Sequence, residues 1–191
     1  MRVYLTFDDG PSEWTEPILD LLEDHGAKAT FFLLGCWIVG REDIVQRMHN
    51  GGHTIGVHGW THRRLTHLDS VTVQRELGST ADLIDEITFV RPAFYRGPHL
   101  DTDERVDALA RTEGLEHVGA DIDPGDWREP SAFLIADHVG MNAYDGCIVD
   151  LHDGIAPQNR GTRTRQPTVE AVERLLTKDW EFAALQVPVA A

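Results

Sequence analysis

Short apolar segments alternate with amphipathic segments along the whole chain, and this alternation constrains the fold more than any other feature. Apolar runs of strand length occur at residues 3–7, 30–34, 53–57, 93–95, 117–122, 147–151 and 182–187. Between them, apolar residues recur at helical spacing at 16–25, 42–50, 70–86, 103–113, 131–139 and 168–176. Strands separated by helices indicate βα units around a parallel sheet. We therefore expect an α/β fold with about seven parallel strands.

Length and composition limit the organisation and the partners of the chain. Its 191 residues, 41% of them hydrophobic, suffice for one domain with a sizeable core and are too few for two ordinary enzyme domains. No repeat or linker interrupts the pattern, so we expect residues 1–191 to form a single, monomeric domain. The formal net charge of −15 argues against nucleic acid, whose binding depends on Lys and Arg neutralising phosphates.

The chain carries no recognisable targeting or anchoring segment. No signal peptide is visible before the first apolar run, and no run approaches the roughly 20 apolar residues that span a bilayer. We expect a cytoplasmic protein, a domain cut from a longer exported chain, or export by another route. Its two cysteines, Cys36 and Cys147, exclude a disulfide framework and a cysteine-rich metal site, and we expect buried free thiols rather than one disulfide.

Two adjacent carboxylates, Asp8 and Asp9, end the first predicted strand. Their mutual repulsion is costly unless something offsets it, and a cation is the natural remedy. The alternative is a solvated turn, because the sequence Asp9-Gly10-Pro11 is also good turn chemistry.

Two histidines, His58 and His62, follow the third predicted strand. Histidines at i and i+4 point from the same side of a helical turn, so both imidazoles can reach one ion. With ten histidines in the chain the spacing alone is weak, but the acidic pair also lies at the carboxyl end of a strand. Two imidazoles and one carboxylate leave an open position for water, as in catalytic zinc sites; cobalt or nickel suits the same ligands.

Polar groups also follow the fifth and sixth predicted strands. Asp126 and Trp127 come after the fifth, and Asp150 and His152 close the sixth. His152 is a candidate proton donor, and Asp126 is suited to orient it and raise its pKa. Taken singly, Asp126 would be a turn residue and Trp127 a packing residue. The polar loop 154–166 follows a strand end, where the loops of a parallel barrel build the active site.

Ordered motifs across nearly the whole chain resemble the polysaccharide deacetylases, also called carbohydrate esterase family four. This family includes chitin and peptidoglycan deacetylases, nodulation-type chitooligosaccharide deacetylases and some acetylxylan esterases. The motifs occur in the family's order and include LTFDDGP at 5–11, ATFF at 29–32, GHTIG at 52–56, HGWTH at 58–62 and RGPH at 96–99. The resemblance implies a distorted (β/α) barrel with about seven strands, and this number agrees with the seven apolar runs.

The resemblance also implies roles for individual residues. Asp8 is similar to the family's catalytic base, and its metal ligands correspond to Asp9, His58 and His62. Arg96 falls where the family has an arginine that pairs with the base.

Further positions match the family's acid and its substrate pocket. His152 and Asp126 resemble the acid and the carboxylate that orients it. The backbone amide of His99 falls at the position of an oxyanion-hole donor. Trp127 resembles the aromatic wall of the acetyl pocket.

Four positions depart from the family pattern. Gly59 stands where Ser or Thr usually follows the first ligand, which predicts a looser metal loop, and His99-Leu100 replaces an aromatic residue and a glycine. Asp150 replaces a leucine that lines the acetyl pocket. Its carboxylate either pairs with an arginine of the following loop, such as Arg160 or Arg163, or contacts a polar group of the substrate and favours protonated His152.

The expected function is that of a metal-dependent hydrolase removing N-acetyl groups from an amino-sugar polymer or oligomer, chitin-like or peptidoglycan-like. Its partner is then a carbohydrate, and zinc is the first choice of metal. The alternatives are an O-acetyl esterase acting on a polysaccharide such as acetylxylan, a deacylase of a more polar non-polymeric substrate, and a carbohydrate-binding module that has lost catalysis.

Overall fold

Seven strands, all parallel, form the centre of the protein. The structure is a computed structural model that describes residues 1–159, 161 and 163–186. The strands are β1 (Arg2–Gly10), β2 (Thr30–Leu33), β3 (Thr54–Val57), β4 (Phe94–Tyr95), β5 (Glu116–His117), β6 (Cys147–His152) and β7 (Glu181–Phe182). The prediction of an α/β barrel with about seven parallel strands is confirmed.

The strand order is β5-β4-β3-β2-β1-β6, and the strand with the most partners is β1. It pairs with β2 on one side and β6 on the other, while β7 pairs with its first residues, Arg2 and Val3. After β5 the chain returns to β6, where Ile122 and Val149 form a single parallel bridge. This one bridge closes the distorted barrel.

The predicted strand 117–122 was wrong as a continuous element. It divides into β5, which pairs with β4, and the lone bridge of Ile122. Between them, the Arg96 side chain donates to the backbone carbonyls of Val118, from Nε at 3.3 Å, and Gly119, from Nη2 at 2.7 Å. Carbonyls engaged by a side chain are not available to a strand ladder, so the pairing lapses here. The predicted strand 182–187 is also shorter, since β7 ends at Phe182; Val187 lies outside the described residues.

Helices surround the strands. They are α1 (Thr15–Asp24), α2 (Gly35–Ile38), α3 (Glu42–Asn50), α4 (Ser70–Thr88), α5 (Glu104–Thr112), α6 (Ala132–Asn142) and α7 (Gln166–Leu176). All six predicted helices are present, 42–50 with the predicted ends and the other five with shifted ends; among the described residues, the α-helix that was not predicted is the four-residue α2. Short 3-10 turns lie at Leu65–His67, Pro98–Leu100 and Pro157–Asn159. None of the described helices is long and apolar enough to cross a membrane.

Side-chain caps fix the starts of three helices. Asp69 accepts a hydrogen bond from the Thr72 backbone amide at the start of α4, Asp103 caps α5 and Ser131 caps α6. Each cap satisfies an amide that has no partner within its helix. Because βα loops lead into these helices, the caps also fix where the loops end.

The hydrophobic core lies between the strands and the helices. Every residue of β2 is buried, as expected for a parallel strand covered on both faces. Phe7 of β1 and Phe31 of β2 stack there with ring centroids 5.1 Å apart. Both cysteines are free, as predicted, although only Cys147 is fully buried and Cys36 is partly exposed. The rigid core leaves the carboxyl ends of the strands to carry the polar residues.

Candidate active site

The acidic pair is positioned by an irregularity at the end of β1. In a regular strand, Asp8 and Asp9 would point to opposite faces of the sheet. Here the register with β2 shifts between Asp8 and Gly10, and Asp9 has a left-handed φ of 74°. Such bulges re-aim side chains, and both carboxylates line one cavity. A Cβ at Gly154 would lie 2.0 Å from the Asp9 carbonyl oxygen, so this bend requires a glycine beside it.

The two histidines do not share a helical turn, and that part of the prediction was wrong. His58 directly follows β3, and the loop to His62 turns through left-handed backbone at Gly59 (φ 82°) and at His62 itself (φ 62°). These two turns bring the imidazole centroids to 5.3 Å from each other. The rings therefore converge as predicted, by a different backbone path.

Asp9, His58 and His62 form a group that fits a metal ion. Asp9 Oδ1 lies 3.6 Å from His58 Nε2 and 3.1 Å from His62 Nε2. That oxygen is buried and has no hydrogen-bond partner among the described residues. An unpaired buried carboxylate oxygen is costly, and burial raises the pKa of Asp9. A cation bound by these three residues would remove both penalties.

The protonation states of the histidines suit metal binding. Burial lowers the pKa of His58 well below its ordinary value and that of His62 to about 4, so both are neutral near pH 7. His58 Nδ1 lies 2.9 Å from the Arg96 carbonyl oxygen and donates to it. Its Nε2 therefore keeps a lone pair directed toward Asp9, the arrangement found in metal sites.

Arg96 holds Asp8 from behind. Its guanidinium is fully buried, and Nη1 lies 3.0 Å from Asp8 Oδ1 and 2.7 Å from Thr6 Oγ1. This is the pairing that the family resemblance implied. Burial raises the pKa of Asp8, and the charge of Arg96 opposes that rise without cancelling it. Asp8 is thus a fixed carboxylate with increased basicity.

Asp150 also pairs with Arg96, at 3.2 Å from Nη1, and the expected pairing with Arg163 was wrong. Arg163 contacts Trp127 instead, and Arg160 lies outside the described residues. The cause is the register, because Asp150 stands opposite Thr6 of β1, inside the barrel. Asp150 lines the same cavity as Asp8, and burial together with the charge of Asp8 raises its pKa.

His152 and Asp126 form the second half of the site. His152 Nδ1 lies 2.8 Å from Asp126 Oδ1, and the His152 backbone amide donates to Asp126 Oδ2 at 2.8 Å. Thr168 Oγ1 of α7 donates to the same oxygen. Burial opposes protonation of His152, but the charge and hydrogen bond of Asp126 outweigh it and raise the pKa of His152 to about 10.

A cavity of about 390 Å³ joins these parts. The predicted residues on its wall are Asp8, Asp9, His58, His62, His99, Trp127, Asp150 and His152. Arg96 and Asp126 lie directly behind this wall, bonded to Asp8 and His152. All ten predicted site residues thus come together at the carboxyl edge of the sheet.

Two residues of the cavity wall, His99 and Trp127, make further contacts through their rings. The His99 ring meets the His62 ring edge-on, with centroids 4.6 Å apart, and the His99 backbone is left-handed. Trp127 is 38% exposed and lies between the guanidinium groups of Arg128 and Arg163. Both residues are therefore accessible from the cavity.

Three supporting residues escaped the sequence analysis. Thr168 donates a hydrogen bond to Asp126, the partner of His152. Gln158 Nε2 lies 2.9 Å from His62 Nδ1. Glu76 holds the loop between the two histidines. Only Glu76 left a usable signal, since it shares the buried face of α4 with Val73 and Thr80 at helical spacing.

An α/β barrel that carries two histidines, an aspartate and an acid-base pair at its carboxyl edge is typical of metal-dependent hydrolases. The family model described as polysaccharide deacetylase matches residues 1–118. The chain belongs to this family, whose members are carbohydrate deacetylases.

Several known proteins share the sequence or the fold. The chitooligosaccharide deacetylase of Rhizobium leguminosarum bv. trifolii is 36% identical over 180 residues, 90% of this chain and 82% of the relative. The peptidoglycan-N-acetylglucosamine deacetylase PgdA of Listeria monocytogenes is 35% identical over 153 residues, and the match covers 80% of this chain but 32% of PgdA. The chain thus corresponds to about a third of PgdA.

Among solved structures, the peptidoglycan deacetylase PdaC from Bacillus subtilis superposes with a TM-score of 0.85 at 28% identity. The match covers 96% of this chain and 87% of the PdaC chain. The barrel and its surrounding helices are therefore common to both.

We expect the metal-free Asp150→Asn variant to gain thermal stability over the wild type as pH rises. The pKa of Asp150 is raised on folding, so protonated Asp150 favours the folded state at low pH, and that contribution is lost as pH rises through the folded pKa. Asparagine cannot ionise and still offers Arg96 an oxygen. Melting temperatures from about pH 5 to about pH 9 measure this difference. Asp137→Asn, at an exposed site on α6, is the control; a difference independent of pH would contradict the expectation.

Proposed function

We propose that this protein is a metal-dependent deacetylase that removes N-acetyl groups from an amino-sugar polymer or oligomer, chitin-like or peptidoglycan-like. The observation that carries the proposal is the convergence of the Asp9-His58-His62 group with Asp8 and His152 in one cavity. The names of the relatives support the substrate class. We further propose that residues 1–191 act as one monomeric catalytic domain.

Zinc is the proposed metal, because two imidazoles and one carboxylate suit it; cobalt and nickel fit the same ligands. The holding residues would be Asp9, His58 and His62. When bound, the metal would polarise the acyl carbonyl and make a water molecule nucleophilic near neutral pH.

Asp8 is the proposed general base. It lines the cavity beside Asp9, and its carboxylate accepts a hydrogen bond from the buried Arg96. Arg96 keeps the carboxylate in one orientation, so that Asp8 accepts a proton from the attacking water without first rearranging. The raised pKa of Asp8 makes it a stronger base than an ordinary aspartate.

His152 is the proposed general acid. Its Nδ1 is held by Asp126, so Nε2 is the nitrogen available to the substrate. The raised pKa keeps the imidazole protonated, and a bound cation nearby would lower that pKa toward the working range. Donation to the departing nitrogen is needed because an unprotonated amine is a poor leaving group.

Two further roles belong to the same proposal. The backbone amide of His99, beside His62, would donate to the oxyanion of the tetrahedral intermediate, an interaction typically worth roughly 3 kcal/mol. Trp127 would form the wall against which the acyl group packs.

Asp150 favours a second candidate, a deacylase of a more polar substrate. Its carboxylate is 4% exposed and lines the cavity two residues before His152. A polar wall there suits a hydroxyl or amine of the substrate better than a methyl group. The chemistry would be the same, and only the acyl or sugar partner would differ.

Acetate release from chitooligosaccharides, peptidoglycan and acetylxylan tests the proposal directly. We expect chelation to abolish release and added zinc or cobalt to restore it, because Asp9, His58 and His62 would leave one coordination position open. Release from acetylxylan alone would favour the O-acetyl esterase. Full activity in protein shown to be metal-free would refute the mechanism.

We expect Asp8→Asn to keep the metal and lose most turnover, about 100-fold or more, whereas His62→Ala loses both. The amide preserves the shape of Asp8 without its basicity, while alanine removes a ligand. Metal content and acetate release measure the two effects, with exposed His138→Ala as the control. Near-normal turnover in Asp8→Asn would place the base elsewhere.

We expect His152→Ala to impair hydrolysis of an N-acetyl sugar much more than that of an activated aryl acetate. A phenolate leaves without a proton, but an amine does not. The ratio of kcat/KM for the two substrates is the measurement. Equal losses on both would show that His152 acts only on structure.

A further inference from the structure

We propose that Glu76 is a positioning residue that holds the loop 58–62 in the shape required for metal binding, and that metal affinity depends on it. The proposal rests on the assignment of His58 and His62 as metal ligands. Glu76 belongs to α4 and lies outside the cavity wall described above.

The Glu76 carboxylate accepts three hydrogen bonds from the two residues at the centre of the loop. Oε2 accepts from the backbone amides of Trp60 at 2.6 Å and Thr61 at 2.8 Å. Oε1 accepts from Thr61 Oγ1 at 2.5 Å. Every one of these donors lies between His58 and His62 in sequence. Glu76 thus fixes, by these hydrogen bonds, the segment that sets the distance between the two imidazoles.

Glu76 has the environment of a dedicated anchor rather than a surface charge. It is 5% exposed, and no ion pair of Glu76 occurs within the described part of the chain. Burying a carboxylate without a cation is costly unless donors replace its water. The loop amides and hydroxyl are those donors, so the interaction holds both the loop and the carboxylate in place.

A second residue of α4 also bonds to the loop 58–62. Thr80, one helical turn after Glu76, donates from Oγ1 to the carbonyl oxygen of Gly59. The backbone amides of Gly35 and Cys36 also donate to the carbonyls of Gly59 and Trp60. The loop is therefore held both by α4 and by the start of α2, which replaces any local bond that a Ser or Thr at position 59 would supply.

The energetic consequence follows from the left-handed backbone at His62, a conformation that costs free energy for a residue other than glycine. A loop with such conformations persists only where its surroundings fix it. Without Glu76, the loop would sample other conformations, and metal binding would have to restore the competent one. Substitution of an outer residue that orients metal ligands typically lowers metal affinity about 10- to 100-fold.

Zinc affinity of the full chain, measured by competition with a chromophoric chelator, tests the proposal. We expect Glu76→Gln to weaken zinc binding by about 10-fold or more, because an uncharged amide oxygen is a weaker acceptor for the two loop amides and the NH₂ group cannot accept from Thr61 Oγ1. Thr61→Val, which removes a single donor, should weaken it less. Glu86→Gln, the same substitution at an exposed position of α4, is the matched control and should bind as the wild type does.

A melting curve of each metal-free variant separates positioning from general destabilisation. Positioning predicts weaker zinc binding in protein that is still folded, and turnover that continues to rise with added zinc where the wild type is already saturated. Zinc binding by folded Glu76→Gln and Thr61→Val within twofold of the control would overturn this inference and leave the proposed function standing. A wild-type protein that binds none of zinc, cobalt and nickel would overturn both.

Discussion

The buried guanidinium of Arg96 is the interaction on which the rest of the site depends. It bonds to Asp8 of β1 and Asp150 of β6, and to the carbonyls of Val118 and Gly119 beyond β5. An unpaired buried cation would cost several kcal/mol. These elements must therefore meet around it. Between β6 and the segment after β5, backbone pairing is limited to the bridge of Ile122 with Val149, and the side chain of Arg96 supplies a further connection.

One cation at this position also sets the electrostatics of the cavity. Asp9 is buried close to Asp8 and Asp150, and Asp153 behind them has a pKa raised by burial to about 7. Arg96 serves only two of these carboxylates, and Asp9 Oδ1 keeps no partner among the described residues. This unpartnered oxygen therefore favours a second cation on the side of Asp9, where the two neutral imidazoles lie.

Much of this arrangement could be predicted from sequence, because it follows from periodicity and from strand ends. Polar residues at the carboxyl ends of parallel strands meet at one edge, which is why Asp9 and His58 could be brought together before their contact was known. Backbone details could not be predicted. The left-handed turn at His62 directly follows Trp60 and Thr61, whose amides donate to Glu76 on a helix later in the chain. The interruption after β5 depends on the interior direction of Arg96.

Asp150 shows how one departure from the family pattern changes both the cavity wall and the partners of Arg96. Side chains two apart on β6 share a face, so Asp150 and His152 both line the cavity. With a leucine at this position, Arg96 would pair with Asp8 alone. With the aspartate, its guanidinium pairs with two carboxylates. The same residue thus makes the wall polar and reduces the hold of Arg96 on the base. The polarity of the cavity wall and the pairing of Asp8 are coupled through one guanidinium, so a change at position 150 alters both.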